Sequence, residues 1–387
     1  MSPPELETEL PCWPPDDASI RAALDAAWGA RHWGAYQSDS QRQLEKRLET
    51  LHEGCRVRLC CSGTAGLELA LRAAGAGPGN SVALAAYDYP GNFRTIESLG
   101  ARPFLVDVAT DGLSIDVDAL LAAESRLGSV PAVALIASHL HGAIADMPAL
   151  RKLCSNLGWL LIEDACQSPG VVRGGQEPAS TWRIGSLSDF AVLSFGGGKP
   201  LTAGNGGALL CSNERLFARV RSIADRPSDA YPLSALQASV VLPQLDRLRQ
   251  RNQLRSQGVD WLAERDWEAL SIQTLATEPA RDGSKPESNA TQTQRCYYKW
   301  PIRMTTGEDR QAMLQRMMAA GWIAGEGFRA MSRVSTKRAD RLGSLENSQR
   351  LSDGLIVIDQ RMLLADREAL HERWERLIGA DDPPANR

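Results

Sequence analysis

Through the middle of the chain, short apolar runs alternate with amphipathic ones, and this rhythm restricts the fold more than any other feature. Ser81 to Ala86 reads as a strand, Asn92 to Leu99 as a helix, Pro103 to Val108 as a strand and Asp116 to Ala123 as a helix. Ala132 to Ala137, Met147 to Leu157 and Trp159 to Ile162 continue the pattern as strand, helix and strand. Such alternation predicts βαβ units and a mostly parallel sheet with helices on both faces. Val57 to Cys61, with the helix-forming Ala65 to Ala74 behind it, extends the pattern upstream, and Phe190 to Leu193 and Gly207 to Cys211 add strands downstream. In such sheets functional residues collect at the carboxyl ends of the strands. Tyr87-Asp88-Tyr89, Ser138-His139-Leu140-His141 and Glu163-Asp164-Ala165-Cys166-Gln167 occupy those positions.

Three of these neighbourhoods suggest chemistry. Lys199 follows three glycines and precedes Pro200 within SFGGGKPLTAGNGG at 194 to 207, between two apolar runs. A lysine held there would be desolvated and its amine nucleophilic, which suggests a Schiff-base lysine; a solvated loop end is the plain alternative. A phosphate-binding Walker loop is excluded, because Leu193 stands where its first glycine belongs and Pro200 follows the lysine. Ser62-Gly63-Thr64, between a strand and a helix start, presents free N–H groups and a helix dipole to an anion, although an ordinary N-cap would read the same way. Asp164, directly after an apolar strand, is expected to be partly buried and to need a partner, either a salt bridge or a protonated ring nitrogen of a cofactor. His139 and His141 lack a further ligand at a recognisable spacing, so they read as polar strand-end residues rather than a metal site.

A chain of 387 residues is long enough for about two domains. Pro232 to Glu264 reads as a linking helix that Pro243 kinks, and Thr274 to Gln294 as a polar mobile loop. The remainder, with strands at Tyr297 to Ile302 and Leu355 to Ile358 and helices at Asp309 to Ala320 and Asp366 to Ile378, reads as a smaller α+β unit. At the other end, Ala18 to Trp28 and Ser40 to His52 have helical spacing, and Trp33 and Tyr36 between them are expected to pack. A formal net charge of -4 without a long basic run gives no footprint for nucleic acid, and no apolar stretch reaches membrane-spanning length. The acidic, proline-rich beginning is unlike a signal or transit peptide, and the eight scattered cysteines read as reduced and structural; the expected location is cytoplasmic.

Taken in order, SGTAGLELAL at 62 to 71, GARPFLVDV at 100 to 108, HLHG at 139 to 142, EDACQ at 163 to 167 and SFGGGKPLTAGNGG at 194 to 207 resemble the DegT/DnrJ/EryC1/StrS aminotransferases. The resemblance implies a pyridoxal 5'-phosphate (PLP) enzyme of fold type I: a large cofactor-binding domain over 1–250 and a small C-terminal domain over 251–387. It implies Lys199 as Schiff-base lysine and proton shuttle, Asp164 as partner of the pyridinium nitrogen, and Tyr89 as the ring stacked on the cofactor. Gln167 would lie beside the phenolic oxygen, and Gly63, Thr64 and Ser194 would hold the phosphate. The implied reaction moves an amino group from glutamate or glutamine to a keto-sugar, cyclitol or related biosynthetic ketone, in a homodimer with active sites near the interface. A PLP-dependent lyase or dehydratase of the same fold and a non-catalytic binding or regulatory protein are the alternatives; the dehydratases of this fold replace the lysine with His. The chain departs from the family's pattern at Ala230-Tyr231-Pro232, where an Asn-Tyr-Arg run reaching the neighbouring subunit's phosphate is frequent. It departs again at Asn205, often Glu, and at Gly327-Phe328-Arg329-Ala330-Met331, in place of a His-Tyr-x-Pro run.

Overall fold

A computed structural model describes residues 9–110, 112–174, 181–225, 229–275, 294–305 and 309–379. Two helices come first, α1 (Ala18–Gly29), capped by Asp17, and α2 (Asp39–Leu51), capped by Ser38 and buried through Leu44 and Leu48. The alternation then unfolds as β1 (Arg56–Cys60), α3 (Gly63–Ala74), β2 (Ser81–Ala85), α4 (Pro90–Ser98) and β3 (Arg102–Val106). It continues through α5 (Val117–Ala122), α6 (Glu124–Leu127), β4 (Ala132–Ser138), α7 (Met147–Leu157) and β5 (Leu160–Asp164). The short pair β6 (Val172–Arg173) and β7 (Trp182–Arg183) precedes β8 (Phe190–Ser194) and β9 (Gly207–Cys211). Next come α8 (Glu214–Ala224), α9 (Ala235–Ala263), β10 (Ile272–Thr274), β11 (Lys299–Met304), α10 (Arg310–Ala319) and β12 (Ala324–Glu326). The described chain ends with β13 (Asp340–Leu342), α11 (Glu346–Gly354), β14 (Leu355–Asp359), α12 (Gln360–Leu363) and α13 (Arg367–Gly379).

Eight strands make the large sheet in the order β1-β9-β8-β5-β4-β2-β3-β13. Only β9 is antiparallel to its neighbours; the other pairings are parallel, as the alternation predicts. Successive residues serve opposite faces of the sheet. Val82, Leu84 and Ala86 join one apolar cluster, while Ala83, Ala85 and Tyr87 join the other. Burial on both sides explains why these strands are continuous apolar runs rather than alternating ones.

The second sheet, β10-β11-β14-β12, is antiparallel. Its core is built on Trp267, which meets Trp300, Trp322 and Trp374 edge-on at centroid distances of 5.7, 5.6 and 4.9 Å. Helix α9 spans both units, with Ala238 and Val241 in the core of the large sheet and Val259 and Leu262 in that of the small one. It begins at Ala235 rather than Pro232, because Ser234 and Gln237 close a capping box there, and it continues through Pro243 as one helix. One strand from the C-terminal third, β13, returns to the edge of the large sheet, where Arg102 grips Asp340 through two hydrogen bonds of 2.7 and 2.9 Å.

The expected loop from Thr274 to Gln294 falls outside the described residues over 276–293. Tyr36 does not pack as expected; it is 97% exposed, and Trp33 lies at the surface, stacked on Trp28 at 5.6 Å. Among the described residues no helix is long and apolar enough to cross a membrane.

Candidate active site

The carboxyl ends of β2, β4, β5 and β8 open onto one cavity of about 290 Å³, and all seven residues singled out from the sequence line it: Gly63, Thr64, Tyr89, Asp164, Gln167, Ser194 and Lys199. The start of α3 forms one wall. Ser62 caps it by accepting the Ala65 N–H at 3.0 Å, while the first-turn amides of Gly63 and Thr64 have no acceptor within the helix. Gly63 is required by contact, since a Cβ there would lie 2.8 Å from Cys166 Sγ and 3.1 Å from Ser194 Cβ. A backbone amide edge facing the end of β8 suits an anion.

Lys199 stands on a turn closed by its own N–H to Gly196 O at 3.1 Å. The side chain is half-buried and its Nζ lies 4.6 Å from the centre of the Tyr298 ring. From the N-terminal arm, Trp13 donates its indole N–H to the Lys199 carbonyl at 3.2 Å. Sequence reasoning missed both aromatic neighbours, which come from segments about 100 and 186 residues away.

Asp164 ends β5 with its Oδ1 accepting the Cys166 N–H at 3.0 Å and its Oδ2 accepting Asn92 Nδ2 at 2.8 Å. Asn92 was read only as a helix start, yet its amide also reaches Asp88 Oδ1 at 3.2 Å and Ser138 Oγ at 3.3 Å. Asp88 is buried, and desolvation, followed by the nearby Asp164 charge, pushes its carboxyl up to about 8. The signal available in the sequence was a carboxylate directly after an apolar strand, the same one that marked Asp164.

The two histidines have separate duties. His139 Nε2 meets Glu163 Oε1 at 2.7 Å and its Nδ1 accepts the Ala145 N–H at 3.2 Å, which uses both ring nitrogens. His141 sits in the left-handed region at φ 55, with its N–H held by Gln167 Oε1 at 2.9 Å and its Nε2 3.1 Å from the Tyr87 hydroxyl. Burial, with Lys299 and Lys199 nearby, pushes the His141 ring down to about 3, so it is neutral. Anchoring of the Gln167 carboxamide oxygen leaves its NH2 as the group available to the cavity.

A helix start for an anion, a carboxylate and a lysine around one cavity match the demands of a phosphorylated pyridine aldehyde. The model of the DegT/DnrJ/EryC1/StrS aminotransferase family matches residues 16–371. The chain belongs to this family. DegT/DnrJ/EryC1/StrS proteins are PLP-dependent and mostly aminotransferases, and PLP is the cofactor of this member. Over 96% of the chain it is 28% identical to the 3-amino-5-hydroxybenzoate synthase of Amycolatopsis mediterranei, covering 97% of that protein. An L-glutamine:2-deoxy-scyllo-inosose aminotransferase of Micromonospora echinospora is 27% identical over 82% of the chain and 77% of its own length. The crystal structure of a 3-amino-5-hydroxybenzoic acid synthase superposes with a TM-score of 0.81 at 25% identity, covering 96% of this chain and 98% of that one. The Spr1654 protein of Streptococcus pneumoniae, solved in PLP and PMP forms, shares the fold at a TM-score of 0.77 and 18% identity, over 97% and 96% of this chain and 98% of its own.

Proposed function

We propose that the protein is a PLP-dependent aminotransferase that carries an amino group from glutamate or glutamine to a keto-sugar, cyclitol or related biosynthetic ketone. The observation that carries this reading is the convergence of Lys199, Asp164 and the α3 start on a single cavity. When bound, PLP supplies a carbonyl that condenses with amines and a ring that takes up the electrons released at the substrate's α carbon. The amides of Gly63 and Thr64, with Ser194, would hold the phosphate, Tyr89 would face the ring, and the Gln167 NH2 would serve the phenolic oxygen. Asp164 holds a proton on the ring nitrogen, which keeps the ring electron-poor. Lys199 Nζ takes the α-carbon proton from the donor and, in the second half-reaction, returns a proton to the acceptor's former carbonyl carbon. The test is addition of glutamate or glutamine to the holoprotein. A visible absorption band that bleaches with release of the keto acid supports amine transfer, and a band that survives both donors refutes it.

A second reading has a specific observation behind it. The relative matched over 96% of the chain is named a synthase of an aminated hydroxybenzoate rather than an aminotransferase. The lysine that moves a proton in transamination can remove one in an elimination that drives ring aromatisation, so Lys199 serves either outcome. Dehydrated product without net amine transfer would select this reading.

The remaining assignments are also proposals. We assign 1–250 to the large domain and 251–387 to the small one, with β13 crossing back to the large sheet. A homodimer fits the surface ring pair Trp28–Trp33 and the exposed Tyr36, which none of the described residues covers. Tyr231 of the departing Ala230-Tyr231-Pro232 run is engaged within the chain, its hydroxyl donating to Glu68 Oε1 at 3.0 Å. A reducing cytoplasmic setting fits eight free cysteines, of which Cys55, Cys60, Cys154, Cys211 and Cys296 are buried.

A further inference from the structure

We propose that Asp88 is a neutral carboxylic acid that positions Asp164 through Asn92, leaving Asp164 as the anion of this pair that faces the cavity. The inference rests on the reading of Asp164 as partner of the cofactor's ring nitrogen. Asp88, Asn92, Ser138 and Asp164 are 0, 3, 7 and 6% exposed, so water does not share their charges. One amide nitrogen, Asn92 Nδ2, lies 3.2 Å from Asp88 Oδ1 and 2.8 Å from Asp164 Oδ2, which puts the two carboxyl groups within about 6 Å of each other. Among the described residues neither acid has a Lys or Arg ion pair. Two like charges buried side by side without an ion-pair partner are strongly unfavourable, and a proton kept on one of them resolves this.

The position relative to the cavity identifies which. Asp164 lines the cavity, where a cationic ring nitrogen can meet its charge, and Asp88 does not. Asp88 Oδ1 already receives two donors, the Tyr89 N–H at 2.6 Å and the Asn92 amide. Its Oδ2 lies 2.8 Å from Ser138 Oγ, which accepts a carboxylic proton as readily as it donates its own. A proton on Oδ2 therefore finds an acceptor in Ser138 Oγ while Oδ1 keeps both of its donors. Asn92 then gives one N–H to Asp164 and orients the other toward Asp88 and Ser138, which fixes the plane of the Asp164 carboxylate.

The other ionisable groups that face Asp88 do not change this balance. Cys166, beyond the end of β5, and Tyr87, on Asp88's own strand end, are both pushed upward by burial and stay neutral. Burial likewise moves Asp88 itself upward, to about 8.

Infrared difference spectroscopy on the full-length apoprotein reads the proton directly. A carbonyl stretch of a protonated carboxylic acid is expected at neutral pH, fading as pH passes about 8 and missing from Asp88→Asn. Asparagine reproduces the neutral acid's bonds, so Asp88→Asn should keep PLP affinity within about threefold. Asp88→Leu should weaken it about tenfold or more while remaining folded by circular dichroism, because Asn92 loses its anchor. An infrared band that survives in Asp88→Asn, or an Asp88→Asn protein as impaired in PLP binding as Asp88→Leu, overturns the proposal. Asp164→Asn separates the two levels: undiminished PLP binding there sinks the reading of Asp164 as ring-nitrogen partner, while the infrared result on Asp88 stands or falls by itself.

Discussion

Glu163 and Asp164 are consecutive carboxylates on one strand, both buried, and they point to opposite faces of the sheet. Glu163 is saturated: Oε1 meets His139, and Oε2 accepts the Gly185 N–H at 2.7 Å and the Ser188 hydroxyl at 3.0 Å. Asp164 accepts one N–H on each oxygen and keeps lone pairs directed to a cavity. Burial alone therefore does not mark a functional acid. The mark is unspent bonding capacity on the side of the sheet where ligand can enter.

The largest effect belongs to the cavity side. Lys199→Ala should abolish the visible band and lower turnover about ten-thousandfold, the upper range for a positioned proton-transfer group. Only a comparable loss on the Glu163 side would erase the contrast. Asp164→Asn comes next: turnover should fall about a hundred- to a thousandfold, as for loss of one preorganised electrostatic partner, with a urea midpoint close to that of the parent. Glu163→Ala should do the reverse. Three buried donors lose their acceptor, which costs about 3–5 kcal/mol of stability in a urea titration, while the kcat of the folded fraction stays near the parent value.

The same contrast explains what was legible in the sequence. Strands β2 to β5 were readable because both their faces are buried and their apolar runs are continuous. Asp164 and Lys199 were readable because each sits directly beside such a run. Asp88 sits in the same position, but its role depends on Asn92, two residues into a helix, and on Ser138, 50 residues away in sequence. No local spacing encodes a bridge of that kind. Tyr298 and Trp13 around Lys199 were hidden for the same reason, as was β13, whose three residues join the sheet through Arg102 and Asp340 rather than through an apolar run. Tyr36 was misjudged because an aromatic residue in a loop packs only where a surface is offered to it, and the described residues offer none.

A further contrast should appear in the pH dependence of stability. A carboxyl raised from 3.8 to about 8 holds a proton in the folded state that the unfolded chain has released. Its contribution is therefore complete below about 4 and is lost as pH rises toward 8. His141 acts in the opposite direction: lowered from 6.5 to about 3, it contributes fully above 6.5 and loses that contribution as pH falls through the interval. Urea midpoints of the parent and of Asp88→Asn across this range isolate the acid's share. The variant should lack the parent's decline between pH 4 and 8. Equal slopes would place the proton elsewhere and would return Asp88 to the class of saturated acids such as Glu163.

The least effect is expected at Gly91, and it bears on how the cavity side is shaped. A Cβ at this position would fall 2.2 Å from Tyr89 Cε1 and 2.9 Å from Cδ1, so the bare backbone of α4 is what lets the ring lie over it. Tyr89 is 44% exposed and touches Phe328 at a centroid distance of 5.7 Å, so the ring has room to swing outward when displaced. Gly91→Ala should consequently cost little in stability, about 1 kcal/mol, the low end for overpacking. The displaced ring should instead appear as PLP affinity weakened about fivefold, the equivalent of 1 kcal/mol, measured by equilibrium dialysis. Weakened affinity with no greater loss of stability than this would show that Tyr89 acts on the ligand rather than on the fold, which is the property that separates Asp164 from Glu163.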